Sequence, residues 1–177
     1  MRLYDHLNEG KKLDNPMIGL GINSSDIRDI SKYVKSWLIR YDIHFEEIKD
    51  YHLTISQILG RYDKDELARK IHDIEINYTM NPIGLKILRG KRVPKDFIVI
   101  AYSPADKFMR AVKEVSSEFK TFTFPKLEPH ISLFMVDQGK VTEQMMRDIS
   151  KSAPGLRRIK PIDVQLWNAK HEKEYET

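Results

Sequence analysis

The chain has 177 residues, 41% of them apolar and 32% charged, with a formal net charge of +4, a pI near 9.1 and no cysteine. That length suits one compact domain or two small lobes sharing a core, and the composition excludes wholesale disorder. The missing cysteine excludes disulfides, thiolate metal sites and cysteine nucleophiles, and points to a reducing cytoplasm. No apolar run reaches bilayer length and the first residues hold no secretory stretch, so no membrane partner is expected. The mild basic excess favours approach of anionic ligands such as nucleotides or RNA ends, or serves solubility alone.

Residues 1–15 are polar and turn-rich and read as an extension. Met17–Ile22 reads as a buried strand whose glycines permit close backbone approach. Ser24 or Ser25 caps a helix running to Tyr41, with Ile27, Ile30, Val34, Trp37, Leu38 and Tyr41 at helical spacing. A strand over 50–59 follows, then a short helix over 64–71 and strands over 75–79, 83–89 and 96–102, the last two forming a hairpin across a basic loop. Ser103-Pro104 opens a second long helix, buried through Phe108, Met109, Val112, Val115 and Phe119. A strand ending at Val136, a helix over 141–150 and a strand over 159–167 complete the domain. The expected organisation is an extension over 1–15, one domain over 16–168 and a charged, frayed tail over 169–177.

Two of these strands repeat one pattern. Tyr51-His52-Leu53-Thr54-Ile55-Ser56 and Pro129-His130-Ile131-Ser132-Leu133-Phe134 each set a histidine, an aliphatic residue, a hydroxyl residue and another aliphatic residue in line. Residues i and i+2 of a strand share a face and lie roughly 6.6 Å apart. His52 thus projects with Thr54 and His130 with Ser132, while Leu53, Ile55, Ile131 and Leu133 face a core. Of six histidines, only these two have a hydroxyl residue two positions later. The pairs lie 78 residues apart, which allows one αβ lobe each.

An imidazole exchanges its proton near neutral pH, so two of them across a phosphate can act as base and acid in one turnover. Which is which stays open at this level. Thr54 and Ser132 would donate hydrogen bonds to the non-bridging oxygens, where charge builds in the transition state. Zinc would want a third ligand; hydroxyl partners favour phosphate, and neither metal nor cofactor is needed.

Two such His-x-Thr/Ser-x motifs about eighty residues apart resemble the 2H phosphoesterase superfamily, including the proline before the second histidine. The resemblance implies a bilobal α+β fold, with two antiparallel sheets forming a central cleft, helices outside, and one motif from each lobe facing the phosphate. It further implies a metal-independent phosphodiesterase acting on cyclic or 2′-linked phosphodiesters of RNA ends or oligonucleotides, with no obligate protein partner. The alternative is a non-catalytic RNA or nucleotide binding module on the same fold. Within the superfamily, Phe124-Pro125-x-x-x-Pro129-His130-Ile131-Ser132-Leu133 and Leu166-Trp167 resemble the phage anti-CBASS nucleases, which degrade cyclic oligonucleotide signals. The chain departs from them in holding Asp163 as the nearest acid before Trp167, with Gln165 between, and no aromatic residue over 17–22.

Further candidates for substrate contact are Lys91 and Arg92 in the basic loop and the aromatic residues Tyr51, Phe134 and Trp167. Loop cations can meet phosphates, and ring faces can stack on bases. The opposing readings are a solvated hairpin tip and ordinary core packing.

Overall fold

The computed structural model describes residues 15–90, 94–122 and 128–167, together with the backbone of 173–176 and excepting the side chain of Lys64. Alternating apolar residues place Ile18, Leu20, Leu53, Ile55, Val164 and Leu166 in the core, each at most 3% exposed. Their strands pair accordingly. β1 (Met17–Ile22) runs antiparallel to β3 (His52–Ile58) on one side and to β8 (Pro161–Trp167) on the other. β6 (Thr121–Phe122) and β9 (Lys173–Glu176) flank them, giving the order β6-β3-β1-β8-β9. The second sheet, in the order β2-β7-β5-β4, consists of β2 (Phe45–Glu47), β7 (His130–Asp137), β5 (Lys95–Tyr102) and β4 (Pro82–Arg89), all antiparallel.

Among the described residues, four helices complete the α+β fold: α1 (Ser24–Arg40), α2 (Lys64–Asp73), α3 (Asp106–Glu118) and α4 (Glu143–Ser152). Side-chain oxygens of Asn23, Asp63 and Thr142 accept from the Ser25, Glu66 and Met145 N–H groups, satisfying donors that open α1, α2 and α4. Ile27, Ile30, Val34 and Leu38 form the buried stripe of α1; Phe108, Ala111 and Val115 form that of α3. Buried side chains of both sheets and all four helices make one continuous core. Among the described residues no helix is long and apolar enough to cross a membrane.

Several expectations need correction. Residues 75–79 alternate in polarity but form no strand; their nearest ladder contact is a single bridge between Met80 and Ile159. Phe45–Glu47, which falls between the expected helix and the expected strand over 50–59, pairs with β7. Tyr41 is 53% exposed because the helix has ended at Arg40, and Met109, rotated about 100° from Phe108, is 39% exposed. Residues 173–176 are not frayed; they pair with β8. The halves are not sequential lobes either: β2 leaves the first half for the β7 sheet, and β6, β8 and β9 leave the second half for the β3 sheet.

A buried carboxylate anchors the base of the β4–β5 hairpin. Asp96 pairs with Arg89 and accepts from the Gly139 and Gly90 N–H groups at 2.8 and 3.3 Å. Burial opposes its ionisation, but these donors prevail and hold its carboxyl below the ordinary range. The hairpin tip, with Lys91 and Arg92, lies outside the described residues.

Candidate active site

The two motif strands belong to different sheets, yet their Cα atoms approach within 8 Å of one another. They also share more than their motifs. From the histidine onward each runs half-buried, buried, half-buried, then buried twice. The doubled burial marks an irregularity in each ladder: Gly19 pairs with Thr54 but Ile18 with Ser56, and Val99 pairs with Ser132 but Ile98 with Phe134. A bulge adds one residue to a strand and reverses the faces beyond it. It therefore falls directly after the hydroxyl residue in both strands, leaving histidine and hydroxyl on one face and returning the next residues to the core.

Each imidazole is fixed in the same way. His52 Nδ1 lies 2.9 Å from the Asp50 carbonyl oxygen, and His130 Nδ1 lies 2.9 Å from the Glu128 carbonyl oxygen. A carbonyl only accepts, so Nδ1 carries the hydrogen in both rings and Nε2 is the atom that exchanges a proton. Both rings are half-buried, whereas His44 and His72 are exposed. Desolvation pulls His130 below the ordinary imidazole value, outweighing the opposing Glu128 carbonyl and charge. Glu128 is itself ion-paired with Lys86. Thr54 Oγ1 rests 3.6 Å from Met17 Sδ, a weak acceptor that an anionic oxygen would displace.

The aromatic candidates take other places. Phe134 is fully buried, with its ring edge-on to Phe45 at 5.3 Å, so it has no face for a base. Strict alternation would set it beside Ser132; the bulge turns it inward. Trp167 is 1% exposed and lies against the His52 ring, with centroids 4.3 Å apart. It buttresses the imidazole and offers no open face for stacking. Tyr51 packs against the core, and its hydroxyl donates to Ser31 Oγ at 3.1 Å.

Sequence reasoning finds the strand Met17–Ile22 but misses its place between the first motif and β8. On β1, Gly21 lies across from both His52 and Asp163, and Gly19 across from both Thr54 and Gln165. A Cβ on Gly21 would lie 1.9 Å from Asp163 Oδ1 and 2.3 Å from Gln165 Nε2; one on Gly19 would lie 2.6 Å from Trp167 Cζ3. The β8 side chains thus lean over a glycine floor toward the first motif. The signal is present as Gly-x-Gly against Asp-x-Gln-x-Trp, but only the ladder brings the two together. Among the described residues no three His, Asp or Glu side chains cluster as metal ligands.

Two antiparallel sheets, each lending one motif strand, define the 2H phosphoesterase fold, and comparison with solved structures bears this out. The chain is similar to Escherichia coli LigT complexed with 3′-AMP (13% identity, 94% of this chain and 96% of that one, TM-score 0.59). It is similar also to Kluyveromyces marxianus Usb1 (12%, 86% and 93%, 0.57) and to TT0787 of Thermus thermophilus (11%, 92% and 96%, 0.59). All three belong to the 2H superfamily. No family model matches the chain, and no curated protein matches it in sequence.

Proposed function

We propose that this protein is a metal-independent phosphodiesterase using His52 and His130 as its acid–base pair and Thr54 and Ser132 as donors to the non-bridging phosphate oxygens. The observation that carries this reading is the duplicated Nδ1-to-carbonyl bond, which presents Nε2 as the proton-exchanging atom of both rings. A histidine retained only for packing would have no need of this arrangement in each lobe.

Desolvated His130 starts the cycle neutral. Its Nε2 takes a proton from a water whose oxygen attacks phosphorus. The bond from phosphorus to the ester oxygen breaks, and His52 Nε2 delivers its proton to that oxygen. One proton enters His130 and one leaves His52, so exchange with solvent resets the pair. Acid–base assistance of this kind contributes about 10²–10⁴-fold to a rate.

The substrates proposed are cyclic or 2′-linked phosphodiesters of RNA ends or oligonucleotides, cyclic oligonucleotide signals among them, met in the cytoplasm. Support comes from the net charge of +4 and from the fold neighbours, solved with 3′-AMP and ATP for LigT and with uridine monophosphate for Usb1. The resemblance of the second motif region to anti-CBASS nucleases places cyclic di- and trinucleotides in the test. The protein is incubated with EDTA against 2′,3′-cyclic-phosphate RNA ends, 2′–5′ oligoadenylates and cyclic di- and trinucleotides, and the products are resolved. Cleavage of one class that disappears in His52→Ala is the expected result. Binding of any class without product after long incubation would make the protein a nucleotide-binding module.

A further inference from the structure

The first lobe carries a buried polar pair that the second does not. Asp163 and Gln165 are 4% and 6% exposed, and Gln165 Nε2 donates to Asp163 Oδ2 at 3.2 Å. They sit on the face of β8 that continues the rows of His52 and Thr54 across β1. In the second lobe the equivalent rows run from His130 through Ala101 to Gly84, and from Ser132 through Val99 to Lys86. The third strand therefore sets an acid in the row of one histidine and nothing ionisable in the row of the other.

The glycine at position 21 gives this difference its reach. Facing Cβ atoms on neighbouring antiparallel strands lie roughly 4.5–5.5 Å apart. The Asp163 carboxylate occupies the place a Gly21 side chain would take, the slot directly beside His52. Asp163 Oδ1 is thereby brought within roughly 7 Å of His52 Cβ. We propose that Asp163, held by Gln165 over Gly21, is the positioning residue that stabilises the proton on His52 and so makes the first motif the acid half of the site. This deepens the phosphodiesterase reading and rests on it for the word acid; the charge coupling itself does not depend on any substrate.

Among the described residues, the titratable and charged groups on the elements around His52 are the following. β8 brings Asp163, β1 brings glycines, and Asp50 lies two residues before the ring. β7 brings His130, preceded by Glu128 with its partner Lys86. β6 meets β3 only at Gln57 and Ile58, and the buried side chains of α3, which also packs on β3, are apolar.

The experiment is a titration of both imidazoles by ¹⁵N NMR, without substrate, in the wild type, Asp163→Asn, Gly21→Ala and Gln165→Met. Asp163→Asn keeps the shape and removes the charge, Gly21→Ala pushes the carboxylate out of the slot, and Gln165→Met releases it. Each variant is first checked for a native amide spectrum. In Asp163→Asn the His52 midpoint is expected to fall by about one pH unit, with smaller falls in the other two and no change at His130. An unchanged His52 midpoint in any folded variant, or an equal fall at His130, overturns the proposal. If the titrations shift as expected and no substrate is ever cleaved, it is the phosphodiesterase reading that fails.

Discussion

The two motif strands share a burial sequence, a bulge and a histidine tether, yet the strands beside them differ. In the first lobe two glycines clear a floor for Asp163, Gln165 and Trp167. In the second, Val99 and Ala101 fill the equivalent places, and Gly84 lies in open space. The shared parts are those that set an imidazole and a hydroxyl on one face of each strand. The unshared parts set the environment of each ring: an indole against His52 with Asp163 across Gly21 in its row, desolvation around His130. Under the proposed roles the two rings differ in protonation, and unlike surroundings favour one assignment of base and acid over the other.

The widest test of the symmetry is removal of either ring. His52→Ala and His130→Ala should each lose about 10²–10⁴-fold in turnover with an unchanged melting temperature. Full activity in either would end the two-histidine reading. Thr54→Val and Ser132→Ala should cost less, about 10–100-fold each, as expected for one hydrogen bond to a charged oxygen; steady-state kinetics on the substrate found by the panel would show whether the lobes lose equally.

Stability measurements sharpen the asymmetry. Gly19→Ala drives a methyl into Trp167 and the Leu53 carbonyl and should cost about 1–3 kcal/mol in urea unfolding, whereas Gly84→Ala, which meets nothing within 4 Å, should stay within about 0.5 kcal/mol. The smallest effect is one of pH. His130 is depressed in the folded state, so the unfolded chain binds its proton first as pH falls below about 6.5. Its contribution to stability is complete above that value and declines below it toward the folded value. His130→Gln should flatten this slope between pH 7 and 5, measured by denaturant titration.

The proposed quartet of His52, Thr54, His130 and Ser132 is legible because spacing of two along a strand is a local property, visible without knowing the partner strand. The errors in the strands concern pairing. Phe134 is misplaced by alternation because a bulge depends on the facing strand, and the same bulge buries Ser56 in the first lobe. Trp167 ends its strand in a way that suggests exposure, but its side is decided by Gly19 on another strand. Residues 75–79 carry strand-like alternation through Ile74, Ile76 and Tyr78 without a ladder to join, while Phe45–Glu47, too short and acidic to stand out, pairs at a sheet edge. Asp163 stands out in the sequence as the acid nearest before Trp167, but its place beside His52 exists only once β1 lies between them.

Strand exchange between the sheets carries a practical consequence. Because β2, β6, β8 and β9 each cross over, a cut near residue 80 yields two pieces, neither of which owns a whole sheet. Each motif strand would keep one neighbour, β1 beside β3 and β5 beside β7, and would gain the other, β6 or β2, only when the fragments met. The interleaved chain is thus suited to a split reporter, dark while its parts are apart and regaining turnover when fused partners bring them into contact.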